Sequence, residues 1–326
     1  MHDLIIIGAG PAGLAAALYA GRFRLKTLIF EKLSAGGQII LSSEIENYPG
    51  FPGGISTYEL IERFKKQVQE LGLTIENEEV LEIVNKGQSP QKAGHQSIRQ
   101  DWVPIEGKES APYTIKTTSK TYEAKTVIIA AGARPKQLGV KGEEKFVGRG
   151  VSYCGTCDGP LFRDKEIALA GGGDRAIEEV IFLSGYARKI YLVHRRSEFR
   201  ASKILLEKAK RLSNVNFVLD STIEEIVGKD KVEAIVVKNI SSQALSTLAC
   251  EGVFIFVGIE PNTEFVKNVL EIDEKGFIIA DQEMRTSLKG IFACGDCRKK
   301  SLYQVITACA EGAVAADAAH RYLLRA

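Results

Sequence analysis

The feature that most constrains this chain is a glycine-rich turn that occurs twice, each time between a short apolar run and an alanine- or leucine-rich stretch. The first turn follows the run Leu4 to Ile7 and reads Gly8-x-Gly10-x-x-Gly13. A strand, a tight turn and a helix in this order let backbone N–H groups approach a pyrophosphate at the positive end of the helix. The pattern predicts a dinucleotide-binding unit, and we call this turn the first cradle.

The second turn repeats the same order of elements. It follows the run Glu166–Ala170, which is apolar after its first residue, and reads Gly171-x-Gly173-x-x-Ala176. A second run, Lys189–Val193, lies where the next strand is expected. We call this turn the second cradle. Two such units predict an α/β chain with two Rossmann-like dinucleotide-binding domains.

The two units differ at the position that contacts the adenosine ribose. The residue 23 positions after the first glycine is Glu31 in the first unit and His194 in the second, where Arg195, Arg196 and then Arg200 follow. A carboxylate accepts hydrogen bonds from a free 2′-hydroxyl and repels a 2′-phosphate, whereas guanidinium groups bind the phosphate. We therefore expect FAD in the first unit and NADPH in the second; the alternative for the basic cluster is a solvated face.

Two further segments support a flavin site. The run 127–135 is a buried strand that ends in small residues, and the run 290–296 ends in Gly295-Asp296. The Asp296 carboxylate is placed to bind a ribityl hydroxyl, and the helix expected from about Tyr303 to Leu324 would direct its positive end at the flavin. A surface aspartate before an amphipathic terminal helix is the alternative.

A pair of cysteines spaced for a small disulfide carries the predicted chemistry. Cys154 and Cys157 enclose two residues, and Asp158 stands beside them as a possible proton donor and acceptor. A second pair, Cys294 and Cys297, raises a four-thiolate zinc site as an alternative. We favour the redox interpretation, because the second pair brackets the Gly-Asp expected at the flavin, and we expect no metal.

Composition excludes other classes of protein. The chain has 326 residues, 45% hydrophobic and 26% charged, with 43 basic and 41 acidic side chains, which fits two domains and no nucleic-acid or membrane partner. We expect no transmembrane helix and no export signal, and therefore a cytoplasmic protein. In the reducing cytosol a paired cysteine is expected to be redox-active or metal-binding rather than structural.

The spacing of the motifs predicts motion. Cys157 precedes Gly171 by 14 residues, so the cysteine pair belongs to the NADPH domain. Nicotinamide and disulfide must both reach one flavin from the same domain, so we expect a domain rotation, with hinges at 138–142 and 250–252.

The motifs together resemble one family over nearly the whole chain. The segments that carry the resemblance are GAGPAGLAAALYAGR, GGQ at 36–38, ENYPG at 46–50, VSYCGTCDG, AGGGDRAIEE, VHRRSEFRA, FVGIEPNT and CGDCRKKSLYQVITACAEG. The chain is similar to the low-molecular-weight thioredoxin reductases. The resemblance implies that Cys157 exchanges electrons with the flavin, that Cys154 attacks the thioredoxin disulfide, and that Asp158 is the acid–base group.

The resemblance also implies the cofactor sites and the assembly. The family's FAD domain is discontinuous, here 1–137 and 252–326, its NADPH domain is inserted at 138–251, and the enzyme is a homodimer. The FAD site is expected to comprise Gly8, Gly10, Pro11, Ala12, Gly13, Glu31, Lys32, Gly37, Gln38, Asn47, Gly132, Gly295, Asp296, Tyr303, Gln304 and Val305. The NADPH site is expected to comprise Gly171, Gly173, Asp174, Arg175, Ala176, His194, Arg195, Arg196 and Arg200.

Three features depart from the family pattern. Arg175 stands where a small hydroxyl residue is usual, and it either adds a phosphate contact or crowds one. Tyr303 replaces a commonly basic residue beside Gln304. The polar stretch 86–112, with the only tryptophan, Trp102, is longer than expected. We interpret it as an extended hairpin or flap rather than a docking surface.

Three rival functions remain open. The first is a relative fed by an electron donor other than a pyridine nucleotide, which Arg175 favours and the basic run 194–196 disfavours. The second is a flavin NADPH oxidase or ferredoxin-type reductase, in which Cys154 and Cys157 would have no purpose. The third is a non-catalytic redox sensor that binds FAD and a partner.

Overall fold

The computed structural model describes residues 1–41, 44–45, 47–85 and 112–325, apart from the side chains of Leu41, Glu44, Asn85, Thr156 and Cys157. The chain divides into two compact units. The first unit comprises residues 1–134 and 260–326, and the second comprises 135–259. The stretch 86–111, with Trp102, lies outside the described residues, so its interpretation stays a prediction.

The strands lie in both units. In chain order they are β1 (His2–Ile7), β2 (Thr27–Glu31), β3 (Glu44–Ile45), β4 (Ile55–Ser56), β5 (Ile75–Asn77), β6 (Val80–Asn85), β7 (Tyr113–Thr117), β8 (Thr121–Ile129), β9 (Ala133–Pro135), β10 (Val151–Ser152), β11 (Glu166–Gly171), β12 (Lys189–Val193), β13 (Val215–Val218), β14 (Ser221–Val227), β15 (Ala234–Asn239), β16 (Leu245–Ala249), β17 (Gly252–Phe256), β18 (Ile259–Pro261) and β19 (Ile291–Ala293).

The helices connect and cover these strands. They are α1 (Pro11–Arg22), α2 (Thr57–Glu70), α3 (Glu143–Phe146), α4 (Gly155–Asp158), α5 (Asp174–Ser184), α6 (Lys203–Lys210) and α7 (Val305–Leu323), with 3-10 turns at Gly37–Leu41, Gly159–Phe162, Glu264–Val266 and Gly295–Cys297. In the described part of the chain, no helix combines the length and the apolar character that a membrane crossing requires.

The first unit is built on a sheet whose core strands are parallel. The order is β5-β2-β1-β8-β7-β6, and β19 also pairs with β8 in parallel. Helices α1 and α7 both contact this sheet and pack against each other. Small residues permit their close crossing: a Cβ on Gly312 would lie 2.1 Å from Ala12 O. Strand β1 is buried from Leu4 to Ile7, which explains its continuous apolar run.

The second unit has a fully parallel sheet of order β10-β17-β11-β12-β13 and a separate antiparallel sheet, β14-β15-β16. Each cradle thus follows a central parallel strand and precedes a helix, and the predicted α/β class is confirmed. The expected boundary at 251/252 is wrong, because β17 pairs with β11 at Phe254 and Leu169 within the second sheet. The second unit ends at 259 instead.

Neither segment expected to be a hinge lies at a boundary between the two compact units. At 250–252 the chain enters a central strand, and Cys250 is 2% exposed. At 138–142 the backbone is fixed, because the Glu143 carboxylate accepts hydrogen bonds from the N–H groups of Leu138, Gly139 and Val140. Glu143 is itself 1% exposed and accepts a further bond from Tyr153 Oη at 2.7 Å. The units meet in the chain at 134/135 and 259/260 instead.

Candidate nucleotide and disulfide sites

The first cradle uses its three glycines for two different purposes. Gly8 has φ of +105°, and a Cβ there would lie 2.3 Å from Ala130 O. A Cβ on Gly13 would lie 1.8 Å from Gly8 O. At Gly10, by contrast, the nearest atoms to a Cβ are 3.9 Å away, in Gly36 and Gly37. Gly8 and Gly13 therefore permit close backbone packing, whereas Gly10 leaves open space at the N-terminus of α1, where a pyrophosphate fits.

Glu31 is held at the edge of this cradle. Its Oε2 accepts a hydrogen bond from Ala9 N at 2.9 Å, and its Oε1 accepts one from Leu33 N at 3.2 Å. The carboxylate is half-buried at the end of β2, the predicted place for contact with a ribose. The next residue, Lys32, forms an exposed ion pair with Glu79 at 3.5 Å.

The other predicted flavin residues of the first unit lie at ordered positions, and two of them, Asn47 and Gln304, contact each other. Gln38 Nε2 donates to Ala133 O, and Asn47 Nδ2 donates to Gln304 Oε1 at 3.0 Å. Gln304 caps α7, whose first residue is Val305. Gly132 has φ of +64° and open space where a Cβ would stand. Tyr303 packs against Phe277, with ring centroids 5.6 Å apart, and lies over the Lys300 ammonium.

The Gly295–Asp296 turn lies beside the first cradle, because a Cβ on Gly295 would be 2.7 Å from the Ala12 Cβ. Gly295 N donates to Glu311 Oε2 at 2.8 Å. Asp296 Oδ1 is buried and accepts no hydrogen bond from a described residue, although Lys300 Nζ forms an ion pair with it at 2.9 Å. This oxygen can therefore accept a bond from a ligand hydroxyl, which fits a flavin ribityl chain.

Sequence reasoning did not find the ion-pair network that supports this turn. Glu311 pairs with Arg298 at 3.0 Å and with Lys300 at 3.5 Å, and all three side chains are largely buried. A glutamate within the alanine-rich face of α7 was the available signal, because buried charges in proteins are normally paired.

The second cradle has the same division of purposes. A Cβ on Gly171 would lie 2.5 Å from the Ala176 Cβ and 2.7 Å from Phe256 O, whereas a Cβ on Gly173 meets nothing within 4 Å. Asp174 Oδ1 accepts a bond from Ser202 N at 2.6 Å and so fixes the start of α5. The open space at Gly173 fits a pyrophosphate in the way that the space at Gly10 does.

His194 is more buried than the exposed basic cluster that the sequence suggests. Its side chain is buried, its ring stacks on Phe199 with centroids 4.8 Å apart, and a Cβ on Gly172 would lie 2.1 Å from its Cε1. Its Nε2 lies 3.1 Å from Glu198 O. Burial lowers the pKa of His194 from its ordinary value, and the neighbouring arginines lower it further. The ring therefore packs against the glycine turn as a largely neutral group, and its contact with a 2′-phosphate stays a prediction.

The three predicted arginines do face solvent. Arg195, Arg196 and Arg200 are exposed, and Arg200 N donates to Gly172 O at 2.9 Å, which attaches this segment to the second cradle. They are available to bind a 2′-phosphate. The Arg175 guanidinium instead lies 5.6 Å from the centroid of the Phe256 ring, inside the unit.

The redox motif begins at a fixed backbone. Cys154 is disulfide-bonded and 8% exposed. The Ser152 hydroxyl accepts a bond from Cys154 N at 3.0 Å and donates to Cys154 O at 3.1 Å. Asp158 is half-buried at the end of α4, while the side chain of Cys157 lies outside the described residues. The pairing of Cys154 with Cys157 therefore stays a prediction.

Four other cysteines are free: Cys250, Cys294, Cys297 and Cys309. Burial raises the pKa of each thiol, to about 12 for Cys250 and Cys297 and to about 11 for Cys309, and well above its ordinary value for Cys294. A thiol with a raised pKa is a poor nucleophile at neutral pH. Electron exchange is therefore expected at Cys154 and its partner rather than at these four.

This geometry agrees with the known proteins that the chain resembles. A family model described as pyridine nucleotide-disulphide oxidoreductase matches residues 2–312. The chain belongs to the pyridine nucleotide-disulphide oxidoreductase family. A thioredoxin reductase of Peptoclostridium acidaminophilum is 41% identical over 329 residues, covering 99% of this chain and 97% of that protein.

Solved structures extend the likeness to the fold. Lactococcus lactis thioredoxin reductase, solved in the FR conformation, is 37% identical, with 100% of both chains covered and a TM-score of 0.91. A ferredoxin-flavin thioredoxin reductase of Clostridium acetobutylicum is 33% identical, with 99% of this chain and 98% of that chain covered and a TM-score of 0.50. The predicted similarity to thioredoxin reductases over the whole chain is confirmed. As a pyridine nucleotide-disulphide oxidoreductase, the protein is a redox enzyme.

Proposed function

We propose that this protein is an NADPH-dependent thioredoxin reductase, which passes electrons from NADPH through FAD and the Cys154–Cys157 disulfide to oxidised thioredoxin. The observation that carries the proposal is that the second unit holds both a disulfide-bonded cysteine and a nucleotide cradle. A disulfide-bonded Cys154 and a nucleotide cradle with exposed arginines lie within the same unit, 135–259. Relatives named thioredoxin reductase at about 40% identity over the full chain support the same function.

The residues of the two cradles fit the two proposed cofactors. Gly10, Glu31 and Asp296 would hold the pyrophosphate, the ribose and the ribityl chain of FAD. Gly173, Arg195 and Arg196 would hold the pyrophosphate and the 2′-phosphate of NADPH. A bound flavin supplies the means to accept a hydride and to pass its two electrons to a disulfide.

The chain's own residues then carry out thiol–disulfide exchange. The Cys154 thiolate attacks one sulfur of oxidised thioredoxin, which breaks the thioredoxin S–S bond and forms a mixed disulfide. The departing thioredoxin sulfur takes a proton, for which Asp158 is the proposed donor. Cys157 then attacks the Cys154 sulfur, which breaks the mixed disulfide and forms the enzyme's disulfide again. The proton of Cys157 passes to the second thioredoxin sulfur, so that thioredoxin leaves as a dithiol. Two electrons and two protons have moved from the enzyme dithiol to thioredoxin.

We further propose that the two units rotate relative to each other during turnover. The disulfide and the second cradle belong to one unit and the first cradle belongs to the other, so a rigid arrangement can hardly serve both half-reactions. The rotation would take place at 134/135 and 259/260. A cross-link between the units is expected to abolish one half-reaction and to spare the other, whereas a cross-linked enzyme with full turnover would contradict this proposal.

The decisive assay follows NADPH oxidation with thioredoxin as acceptor, in wild type and in Cys154→Ser. Wild type should reduce thioredoxin, with NADPH preferred to NADH. Cys154→Ser should keep the bleaching of the flavin by NADPH but lose thioredoxin reduction, because the attacking thiolate is absent. A matched Cys250→Ser variant, at a buried free thiol, should retain thioredoxin reduction. Thioredoxin reduction by Cys154→Ser would overturn the assignment of roles.

A different electron donor is the second candidate. The full-length similarity to a ferredoxin-flavin thioredoxin reductase favours it, as does the inward position of Arg175. The exposed side chains of Arg195, Arg196 and Arg200 favour NADPH, because a site without a 2′-phosphate has no use for three clustered cations. Rapid bleaching of the flavin by NADPH would decide for the first candidate, and bleaching only by reduced ferredoxin would decide for the second.

Assembly and location complete the proposal. The acceptor is thioredoxin or a thioredoxin-like protein, and the enzyme is a homodimer, which its mass in solution would test. The free thiols at Cys250, Cys294, Cys297 and Cys309 fit a reducing compartment, and we place the protein in the cytosol. A purified holoprotein that never oxidises NADPH in the presence of thioredoxin would instead favour a redox sensor.

A further inference from the structure

A buried carboxyl group lies against the redox motif, and the proposed reaction does not use it. Glu179, on α5, is 5% exposed. Its Oε2 is buried and forms no hydrogen bond with a described residue. An ionised carboxylate that is buried without a hydrogen bond lowers the stability of the fold, so such a group is expected to be protonated or to have a functional role.

The contact between this carboxyl and the motif is direct. A Cβ on Gly155, the residue after Cys154, would lie 1.9 Å from Glu179 Oε2. A Cβ on Gly159 would lie 2.9 Å from Leu183 Cδ2, one turn further along α5. The two glycines therefore let the segment that carries the disulfide pack closely on α5, and Gly155 is required because the carboxyl fills the space of a side chain.

The surroundings of Glu179 favour its neutral form. Burial raises the pKa of Glu179 to about 7; Arg175, one turn earlier on α5, lowers it, and Glu178 raises it further. Helix α4, which begins at Gly155, packs against α5 and brings Gly155 next to the carboxyl. Among the described residues, Arg175 and Glu178 are the charged groups whose fields act on the carboxyl. Its protonation therefore changes within the working range of pH.

We propose that Glu179 is a positioning residue of the disulfide site: it gives up its proton while the disulfide is intact and retains it when a thiolate forms at Cys154. Reduction breaks the S–S bond and takes up two electrons, here from a dithiol reductant or along the proposed electron path. One proton binds to one sulfur, and the other sulfur remains a thiolate. A second proton then binds to Glu179, because two negative charges packed together oppose each other.

This inference rests on the proposed redox role of Cys154, but it concerns an equilibrium property of the protein. Ionised Glu179 should raise the pKa of the Cys154 thiol, whereas neutral Glu179 should leave it unchanged. The effect therefore appears only above the pKa of Glu179. A carboxyl that served only as packing would have no such dependence on pH.

The test compares reduced wild-type holoprotein with Glu179→Gln, which keeps the size of the side chain but cannot ionise. The alkylation rate of Cys154 with iodoacetamide is measured by peptide mass spectrometry at about pH 6 and about pH 8. These values lie on either side of the Glu179 pKa of about 7. At the higher pH the variant should react several-fold to about tenfold faster, the factor that one pKa unit gives. At the lower pH the two proteins should react alike.

Glu178→Gln is the matched control, because it removes the same charge from the adjacent, exposed position on α5. At the higher pH, where Glu179 is ionised in both proteins, it should react like wild type. The proposal would be overturned if Glu179→Gln and wild type reacted at equal rates at the higher pH. It would also be overturned if their rates differed by the same factor at both values of pH, or if Glu178→Gln showed the same change as Glu179→Gln. Alkylation follows reduction by dithiothreitol, so a failure of the proposed thioredoxin activity would be detected separately and would not alter this readout.

A second measurement covers the case in which Glu179→Gln does not fold. In wild type, the infrared difference between oxidised and reduced protein near neutral pH should contain a band from a buried carboxyl that gains a proton on reduction. A difference spectrum without a carboxyl signal would overturn the proposal. The contact itself is tested by Gly155→Ala, which should displace the motif and lower thermal stability, and by Gly155→Ala with Glu179→Ala, which should recover stability because the space is vacated.

Discussion

The two cradles share one backbone design and differ in what stands beside it. In the first cradle, the Glu31 carboxylate accepts a hydrogen bond from Ala9 N, so the group that would meet the ribose is also a support of the turn. In the second cradle these two tasks are divided. The buried His194 ring packs against Gly172, and the exposed Arg195 and Arg196 follow it toward solvent.

The difference fits the two nucleotides that we propose for the two units. A free 2′-hydroxyl needs a single acceptor, which can also bond the backbone. A 2′-phosphate needs several cations, and cations are costly to bury, so they stay exposed while a neutral ring fills the space below the turn. The cradles therefore differ in charge without a difference in backbone order.

The largest expected effect is a loss of stability, which should occur at the glycines that permit close backbone packing and not at those with open space beside them. Gly13→Ala would place a Cβ 1.8 Å from Gly8 O, and we expect a loss of roughly 3 kcal/mol or more of unfolding free energy, from forced backbone movement. Gly10→Ala has space for its Cβ and should leave the apoprotein's denaturant midpoint nearly unchanged while it weakens FAD binding. Equal midpoints for the two variants would contradict the proposed division.

The second cradle allows the same experiment. Gly171→Ala would bring a Cβ within 2.5 Å of the Ala176 Cβ and should destabilise the second unit, whereas Gly173→Ala should mainly reduce affinity for NADPH. Amide exchange resolves the two units, so each substitution should affect the protection of its own unit. An equal loss of protection in both units would show that the cradles are not independent.

The positions of the two cradles could be predicted from the sequence, because glycine spacing and apolar runs are local properties. Strand Lys189–Val193 was predicted with the bounds that the structure has, and both cradles stand between the predicted elements. The helix expected from Tyr303 begins at Val305, because Gln304 is its cap. Bounds of this kind depend on a few hydrogen bonds and differ by one or two residues.

The predictions that were wrong depended on contacts between distant residues. The boundary at 251/252 was wrong because β17 pairs with β11, and sequence spacing does not show strand pairing. The burial of His194 was missed because it depends on stacking against Phe199, a contact that spacing does not show. Glu179 and Glu311 were missed because a glutamate on a helix usually faces solvent, and only the packed structure shows that these two are buried.

A smaller effect is expected at the arginines of the second cradle. Arg195→Gln with Arg196→Gln should raise the KM for NADPH by about 100-fold, since two charge-assisted hydrogen bonds are lost at about 1.5 kcal/mol each. The KM for NADH should stay nearly constant, because NADH lacks the 2′-phosphate. Arg211→Gln, an exposed arginine of the same unit, is the control. Equal changes in both KM values would remove the reason for assigning NADPH.

Glu31 should have a more modest effect on the first cradle. Glu31→Ala removes the acceptor for Ala9 N and Leu33 N as well as the proposed ribose contact. We expect about tenfold weaker FAD binding, the equivalent of one hydrogen bond to a charged group. Glu79→Ala, which removes an exposed carboxylate nearby, should bind FAD as wild type does. Isothermal titration of the apoprotein with FAD measures both, and an unchanged affinity in Glu31→Ala would exclude the ribose contact.

The smallest expected effect concerns the pH dependence of each unit. Burial lowers the pKa of His194 in the second unit and of His2 in the first. A lowered pKa means that the folded state prefers the neutral ring, so stability is complete above the unfolded value of about 6.5 and decreases as pH falls below it. His194→Phe, which keeps a stacking ring, should make the second unit less sensitive to acid, and His2→Phe should do the same for the first unit. Amide exchange at falling pH measures the two units separately. If His194→Phe left the acid sensitivity of β12 unchanged, the His194 ring would not be neutral in the folded protein. The second cradle would then lack the proposed contrast between exposed arginines and a neutral buried ring.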